Sequence, residues 1–190
     1  YCALAMAGFF PIAAAMTLRR FDSICQGHPH SLKCPGVEIS SGSLGQGLGV
    51  AVGTALGLRL DNSQSRVYCI MGDGEQQEGS VWEAAMAAGH YRLDNLLAIV
   101  DFNRLQIDGD VEKVMNIAPL ADKYRSFGWN VIECDGHSMS ELIGSFITAR
   151  NTKARPTVII AHTVKGKGVS FMENVAGWHG IAPKNREELD

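Results

Sequence analysis

Apolar residues in this chain fall in short runs separated by stretches with helical spacing. Val67-Tyr68-Cys69-Ile70-Met71 and Leu96-Leu97-Ala98-Ile99-Val100-Asp101 are brief and rich in β-branched residues, which predicts two buried strands. Between them Ser80-Val81-Trp82-Glu83 and an Ala-rich segment to Tyr91 predict one helix. Trp82, Ala85, Met86 and Gly89 would form its buried face. Asn130 to Cys134 and Pro156 to Ala161 read as a third and a fourth strand. The helix between them carries Leu142, Ile143, Phe146 and Ile147 on its apolar face. Further helices are expected over 12–21, from the glycine-rich 40–49 stretch to about Leu60, and over 119–127. Ser80 with Glu83, and Ser138 with Glu141, have the spacing of capping boxes. This alternation predicts an α/β fold: a three-layer, doubly wound, mostly parallel sheet with helices on both faces.

A strand, a helix and a strand in parallel crossover place both strand C-termini at the same edge of the sheet, where α/β proteins bind ligands. Asp73, in Gly72-Asp73-Gly74, follows the first run, and Asn103 follows the second. They are therefore expected side by side, although thirty positions (103 − 73) separate them. A carboxylate and an amide carbonyl are hard oxygen donors. With one backbone carbonyl and two phosphate oxygens they would fill five of the six positions of an octahedral Mg2+ shell, leaving one for water. The flanking glycines let a phosphate approach the backbone. Asp-Gly alone is ordinary turn chemistry; its pairing with Asn103 on an adjacent predicted strand favours a site.

Composition narrows the partners. The chain has 190 residues, enough for one domain with a substantial core. A net charge of −3 gives no polyanion-binding surface, so nucleic acid is not an expected partner. No apolar run is long enough to cross a bilayer, and no basic-led signal peptide is present. Cys2, Cys25, Cys34, Cys69 and Cys134 are odd in number and widely spaced, which suits reduced thiols in a cytoplasmic protein. The first residue is Tyr1 rather than Met, and 1–7 reads as a helix already under way. The sequence is therefore expected to be a fragment lacking its beginning.

Other signals stay open at this level. Cys25, His28, His30 and Cys34 invite a zinc reading, but the spacing matches no common zinc knuckle, and Pro29 and Gly27 suit a surface loop. The glycine-rich loop before 46–60 could bring backbone N–H groups against a ligand. It lacks both the Rossmann glycine spacing and a Walker lysine. Gly45, Gly49, Gly53 and Gly57 recur every four residues, which suits either a close backbone neighbour or a small-residue core helix. Glu75 and Glu78 near a helix start read as solvated and dipole-favoured. By spacing alone, His179 beside Trp178 reads as structural.

Taken together, SGSLGQG (41–47), GDGEQQEG (72–79), AGHYRLDNLLAIVDFNRLQIDG (88–109), FGWNVIECDGH (127–137) and HTVKGKGVSFMEN (162–174) resemble transketolase. They are most similar to the N-terminal, thiamine diphosphate-binding subunit of transketolases split into two chains. The resemblance spans essentially the whole chain. It implies the thiamine diphosphate-binding fold, with 1–190 as a single diphosphate-binding domain and the pyrimidine-binding and C-terminal domains elsewhere. It also implies thiamine diphosphate with Mg2+ or Ca2+ as cofactors. The implied activity moves a two-carbon ketol unit from a ketose phosphate to an aldose phosphate, as in the pentose phosphate pathway.

Residue by residue, the resemblance implies Asp73 and Asn103 as metal ligands, with Leu105 lending its backbone carbonyl. It implies Gly74 and Asn103 as diphosphate contacts, and Gly42, Ser43 and Leu44 as the loop meeting the aminopyrimidine and thiazolium. His28 would lie near the donor's hydroxyls, His179 would contact diphosphate and substrate, and Glu78 would hydrogen-bond across a subunit interface. The glutamate that protonates the pyrimidine belongs to a domain absent here. A partner is therefore implied: a C-terminal transketolase subunit carrying the pyrimidine-binding domain, in a heterotetramer built on a dimer. Deoxyxylulose-phosphate synthase and the α subunits of 2-oxoacid dehydrogenases share parts of the pattern, but the SLGQG loop and the Gly-Trp-His-Gly tail favour transketolase. A non-catalytic cofactor-binding subunit is the remaining alternative; a dinucleotide oxidoreductase fits poorly without its fingerprint.

Overall fold

In the computed structural model, which describes residues 1–183, two compact units divide at Leu44 and Gly45. The expected 1–190 domain extends over 184–190, which lie outside the described residues.

The second unit is organised by a four-stranded sheet. Its strands are β1 (Val67–Gly72), β2 (Leu96–Phe102), β5 (Asn130–Asp135) and β6 (Thr157–His162), in the order β1-β2-β6-β5. A two-stranded hairpin, β3 (Leu105–Gln106) with β4 (Gly109–Asp110), follows β2. All neighbours in the large sheet are parallel: Val67 faces Leu96, Leu97 faces Thr157, and Asn130 faces Thr157. The central strands are apolar almost throughout because both faces are covered; Thr157 to Ala161 are all buried. The edge strand β1 alternates instead. Cys69 and Met71 are buried, while Tyr68 and Ile70 are exposed on the opposite face.

Helices cover both faces, as the alternating pattern predicts. α3 (Gln46–Leu60), α4 (Gly79–His90) and α6 (Leu120–Ser126) contribute Leu48, Ala55, Val81, Ala85 and Tyr124 to one core with Met71, Ala98 and Val158. α7 (Met139–Asn151) covers Leu97, Cys134 and Ile159 on the other face. α5 (Val111–Met115) is a short helix after β4. The Ala-rich face of α4 allows close packing, and at Gly89 it leaves no room at all. A Cβ there would lie 1.9 Å from the Phe127 carbonyl oxygen.

Several local expectations change. Met86 is exposed rather than buried, because the core-facing stripe of α4 runs through Val81, Ala84, Ala85 and Ala88. Glu78 is the N-cap of α4, and no side chain caps it. Ser80 Oγ donates instead to the Gly45 carbonyl at 3.0 Å, so the expected Ser80/Glu83 capping box does not form. Ser138 does cap α7, accepting from Glu141 N at 3.4 Å, while the Glu141 carboxylate turns to Asp135 N. Among the described residues, Cβ atoms added at Gly49, Gly53 and Gly57 would meet nothing within 4 Å, so these three glycines serve no close contact there.

The first unit, Tyr1–Leu44, is built from turns and two short helices, α1 (Cys2–Met6) and α2 (Ile12–Ala15). Its core is Phe10, Cys25 and Cys34. The helix expected over 12–21 stops at Ala15. Thr17 Oγ1 donates back to the Ala14 carbonyl at 2.7 Å and also bonds to Ser23, and Arg19 then takes a left-handed φ of 62°. All five cysteines are free, and four are buried. Among the described residues, no helix is long and apolar enough to cross a membrane.

Candidate functional site

Asp73 continues the line of β1, its N–H donating to the Asp101 carbonyl at 3.2 Å. Its side chain is 1% exposed. One carboxylate oxygen accepts from Gly74 N at 2.8 Å, and the other accepts from Arg104 N. The second bond brings the loop after β2 onto Asp73. Arg104 holds a left-handed φ of 66°, and Asn103 Oδ1 accepts from Leu105 N at 2.9 Å, closing an Asx turn. Asp73, Gly74, Asn103 and Leu105 therefore gather at the C-terminal rim of β1 and β2, where parallel crossover geometry puts them.

Burial pushes the Asp73 carboxyl above the usual aspartate range, opposed by the amides of Arg104 and Gly74 and aided by the nearby Asp101. Among the described residues, no cationic side chain forms an ion pair with this buried acid. A buried charge without a counter-charge is costly, and a bound cation would offset that cost. The donors fit a hard cation: a carboxylate, an amide oxygen with a second lone pair to offer, and the Leu105 carbonyl. A cavity of about 20 Å3 adjoins Asp73, lined also by Phe102, Arg104, Val111 and Ile117. It has room for one water molecule and none for a cofactor.

Glu75 and Gln76, two neighbours of Asp73, make contacts that their local spacing does not predict. Glu75 is half-buried rather than solvated. Its two carboxylate oxygens accept from Gly45 N at 2.8 Å and Gly72 N at 3.1 Å. Gly45 is the N-cap of α3 in a left-handed conformation (φ 81°), and a Cβ there would lie 2.6 Å from Ser80 Oγ. Glu75 accepts from the N–H of the N-cap residue itself, the bond a capping-box glutamate makes, here from outside the helix, and local spacing gives no signal of it. Gln76 is buried. Its Nε2 donates to the Gly72 carbonyl at 3.0 Å, and its Oε1 accepts from Tyr124 Oη at 2.7 Å.

The other candidates are more open. Glu78 is exposed at the start of α4. His179 is exposed after the short turn Ala176–Trp178, which packs near β4. Partial burial, and then the Lys165 charge, hold its imidazole below the usual histidine range. In the first unit, Gly42 (φ 143°) and His28 are brought together; a Cβ on Gly42 would lie 2.8 Å from the imidazole ring. Ser43 and Leu44 are exposed beyond it. Among the described residues no group of three or more His, Cys, Asp or Glu could hold a metal, and Cys25 and Cys34 are core residues. The Asp73 set is of a different kind, with a single acid among its donors.

Comparison with known proteins turns this geometry into a family. The transketolase thiamine diphosphate-binding domain matches residues 1–189. The chain belongs to the transketolase family. It is 46% identical over 183 residues to a subunit of the apulose-4-phosphate transketolase of Phocaeicola vulgatus, covering 96% of this chain and 65% of that one. It is 42% identical to the 6-deoxy-6-sulfo-D-fructose transketolase subunit SqwG of a Clostridium species, covering 100% and 68%. It is 44% identical to the transketolase of Rattus norvegicus, covering 99% and 30%. The chain thus spans about two thirds of the subunit relatives and under a third of the Rattus norvegicus transketolase. Among solved structures, the Campylobacter jejuni transketolase superposes with a TM-score of 0.81 at 33% identity, covering 86% of this chain and 27% of that one. The Leishmania mexicana transketolase gives 0.82 at 32%, covering 88% and 27%. The thiamine diphosphate-binding α/β fold expected from the sequence is the fold observed.

Proposed function

We propose that this chain is the diphosphate-binding subunit of a two-chain transketolase, transferring a two-carbon ketol unit from a ketose phosphate to an aldose phosphate. The observation that carries this reading is the buried Asp73 carboxylate, in no ion pair among the described residues and clasped by the Asn103–Leu105 turn. Asp73, Asn103 and the Leu105 carbonyl would hold Mg2+ or Ca2+. Gly74 and Asn103 would meet the diphosphate, and Gly42, Ser43 and Leu44 the aminopyrimidine and thiazolium. Thiamine diphosphate, when bound, supplies the electron sink for carbon–carbon cleavage.

The chain's own residues bind and orient. His28 contacts the donor hydroxyls. His179, with its imidazole biased toward the neutral form, can accept or donate a hydrogen bond at diphosphate and substrate. Glu78, exposed, reaches a neighbouring subunit. The proposed domain is a single diphosphate-binding unit over 1–190. The proposed partner is the C-terminal subunit with the pyrimidine-binding domain, in a heterotetramer built on a dimer. Relatives named as transketolase subunits support a divided enzyme. The buried free thiols suit a cytoplasmic setting.

The test is co-expression of the full-length subunit with the C-terminal chain, then a ketol-transfer assay over ketose and aldose phosphates. Apulose 4-phosphate and 6-deoxy-6-sulfo-D-fructose join the panel because relatives are named for them. Turnover by the pair and none by either chain alone is expected. Turnover by this chain without its partner would overturn the divided site. Metal-dependent cofactor binding by the pair without any transfer would make this a binding subunit only.

A further inference from the structure

We infer that Glu75 is a positioning residue that sets the spacing between the α3 N-terminus and the Gly72-Asp73-Gly74 loop, and thereby the affinity for thiamine diphosphate. The inference rests on the cofactor reading above and adds a residue to it. One carboxylate accepts from Gly45 N at 2.8 Å and from Gly72 N at 3.1 Å, joining positions 27 residues apart in sequence (72 − 45). Gly72 immediately precedes Asp73. Gly45 immediately follows Gly42-Ser43-Leu44 in the chain.

The two sides of Gly72 are held differently. Its carbonyl is bound by Gln76 Nε2, and Gln76 is fixed in turn by Tyr124 Oη deep in the core. That side cannot move without breaking a buried network. Its N–H goes to Glu75, and the second oxygen of Glu75 carries the fixed position of Gly72 across to Gly45. Gly45 has no side chain with which to cap α3 for itself. Ser80 holds the Gly45 carbonyl, and among the described residues Glu75 is the hydrogen-bond link from Gly45 to the loop that carries Asp73.

Bridging two N–H donors takes two acceptor oxygens at a set reach. Glutamine offers one acceptor and turns an NH2 toward the other N–H; aspartate keeps the charge but is one methylene short. Either change frees the α3 N-terminus in the empty protein. Cofactor binding must then order it, which weakens affinity; once bound, the cofactor itself holds the loops, so turnover at saturation changes less.

The experiment uses the assembled two-chain enzyme stripped of cofactor. Thiamine diphosphate with Mg2+ is titrated into wild type, Glu75→Gln and Glu75→Asp, followed by calorimetry; kcat is then measured at saturating cofactor. Both variants are expected to raise Kd at least about tenfold, or about 1.4 kcal/mol. Their kcat at saturation is expected to fall by no more than about threefold. Binding within about twofold of wild type, with or without a lowered Tm, would reduce Glu75 to a structural strut and overturn the inference. So would a loss confined to kcat. If Glu75→Gln fails to assemble, Glu75→Asp decides by the same readings. Wild type that does not bind thiamine diphosphate at all sinks the proposed function and this inference together, whereas binding by wild type and both variants alike sinks the inference alone.

Discussion

Asp-Gly occurs twice at the same rim of the same sheet, after β1 as Asp73-Gly74 and after β5 as Asp135-Gly136, and the two pairs do different things. Asp73 is buried and accepts from its own turn and from the exit loop of the neighbouring strand. Asp135 is exposed and accepts only within its own turn, from His137 N at 2.8 Å. The neighbouring strand explains the difference. Beside β1, the chain leaving β2 turns at Arg104 and aims an N–H at the carboxylate. Beside β5, the chain leaving β6 uses the His162 carbonyl to accept from Gly136 N at 2.8 Å, and the Asp135 side chain stays out in solvent. A strand-end aspartate becomes a candidate ligand only when a second loop closes over it.

The largest effect should separate the two acids. In the assembled enzyme, Asp73→Ala should weaken Mg2+-dependent thiamine diphosphate binding by at least about a hundredfold, since even residues that merely orient metal ligands commonly cost about 10–100-fold. Asp135→Ala should stay within about threefold in the same titration, as expected of an exposed side chain without a ligand role. Equal losses would break the comparison.

The glycines should behave in the opposite sense. A Cβ at Gly136 would lie 2.5 Å from Thr163 Cγ2 and 3.1 Å from the His162 carbonyl oxygen. Gly136→Ala should therefore cost about 1–3 kcal/mol of stability by overpacking and leave cofactor Kd unchanged. At Gly74 the nearest atom is Gln106 Cβ at 3.1 Å, a contact that needs a give of only a few tenths of an ångström. Gly74→Ala should cost less than about 1 kcal/mol in denaturation and weaken cofactor binding instead. Chemical denaturation and calorimetry on the same four variants would show whether the roles cross in this way.

A smaller effect tests what holds the β1 rim from below. Tyr124→Phe leaves Gln76 Oε1 buried without its donor, and should cost about 1–3 kcal/mol. Among the described residues the matched bond at β5 lies in solvent: Val164 N donates to His137 Nε2 at 2.7 Å, and His137→Ala should cost less than about 1 kcal/mol. The smallest effect is in pH. Because the folded pKa of Asp73 lies above its unfolded value, the folded chain binds this proton more tightly than the unfolded chain. This group's contribution to the stability of the empty protein therefore improves as pH falls through the folded pKa. Cation binding runs the other way, since it needs the carboxylate. The gain in Tm from Mg2+ and thiamine diphosphate should shrink on acidification at a pH above the ordinary aspartate range, and a gain constant down to that range would contradict the direction.

The misreadings along the chain share a cause. Ser80 and Glu83 have capping-box spacing, yet Ser80 bonds to Gly45, a partner 35 residues away. Gly45 begins the row of four glycines, yet it is a left-handed cap, and the three that follow meet nothing among the described residues. Glu75 has the spacing of a solvated acid near a helix start and is instead the clasp between two backbone segments. In each case a polar group chose a non-local partner, and local spacing carries no record of such partners. The central strands β2 and β6 were legible because burial on two faces demands a run of apolar residues whatever the neighbours are.

From the amino-acid order alone came the alternation of strands and helices, and with it the meeting of Asp73 and Asn103, because a parallel crossover returns successive strands to one rim. Tertiary structure alone decided that Asp73 is sealed under the Arg104 turn, that Asp135 is not, and that Glu75 and Gln76 grip Gly72 from both sides. Hydrogen bonds are short and directional, so those outcomes depend on how far packed elements stand from one another, and hydrophobic pattern does not encode that distance.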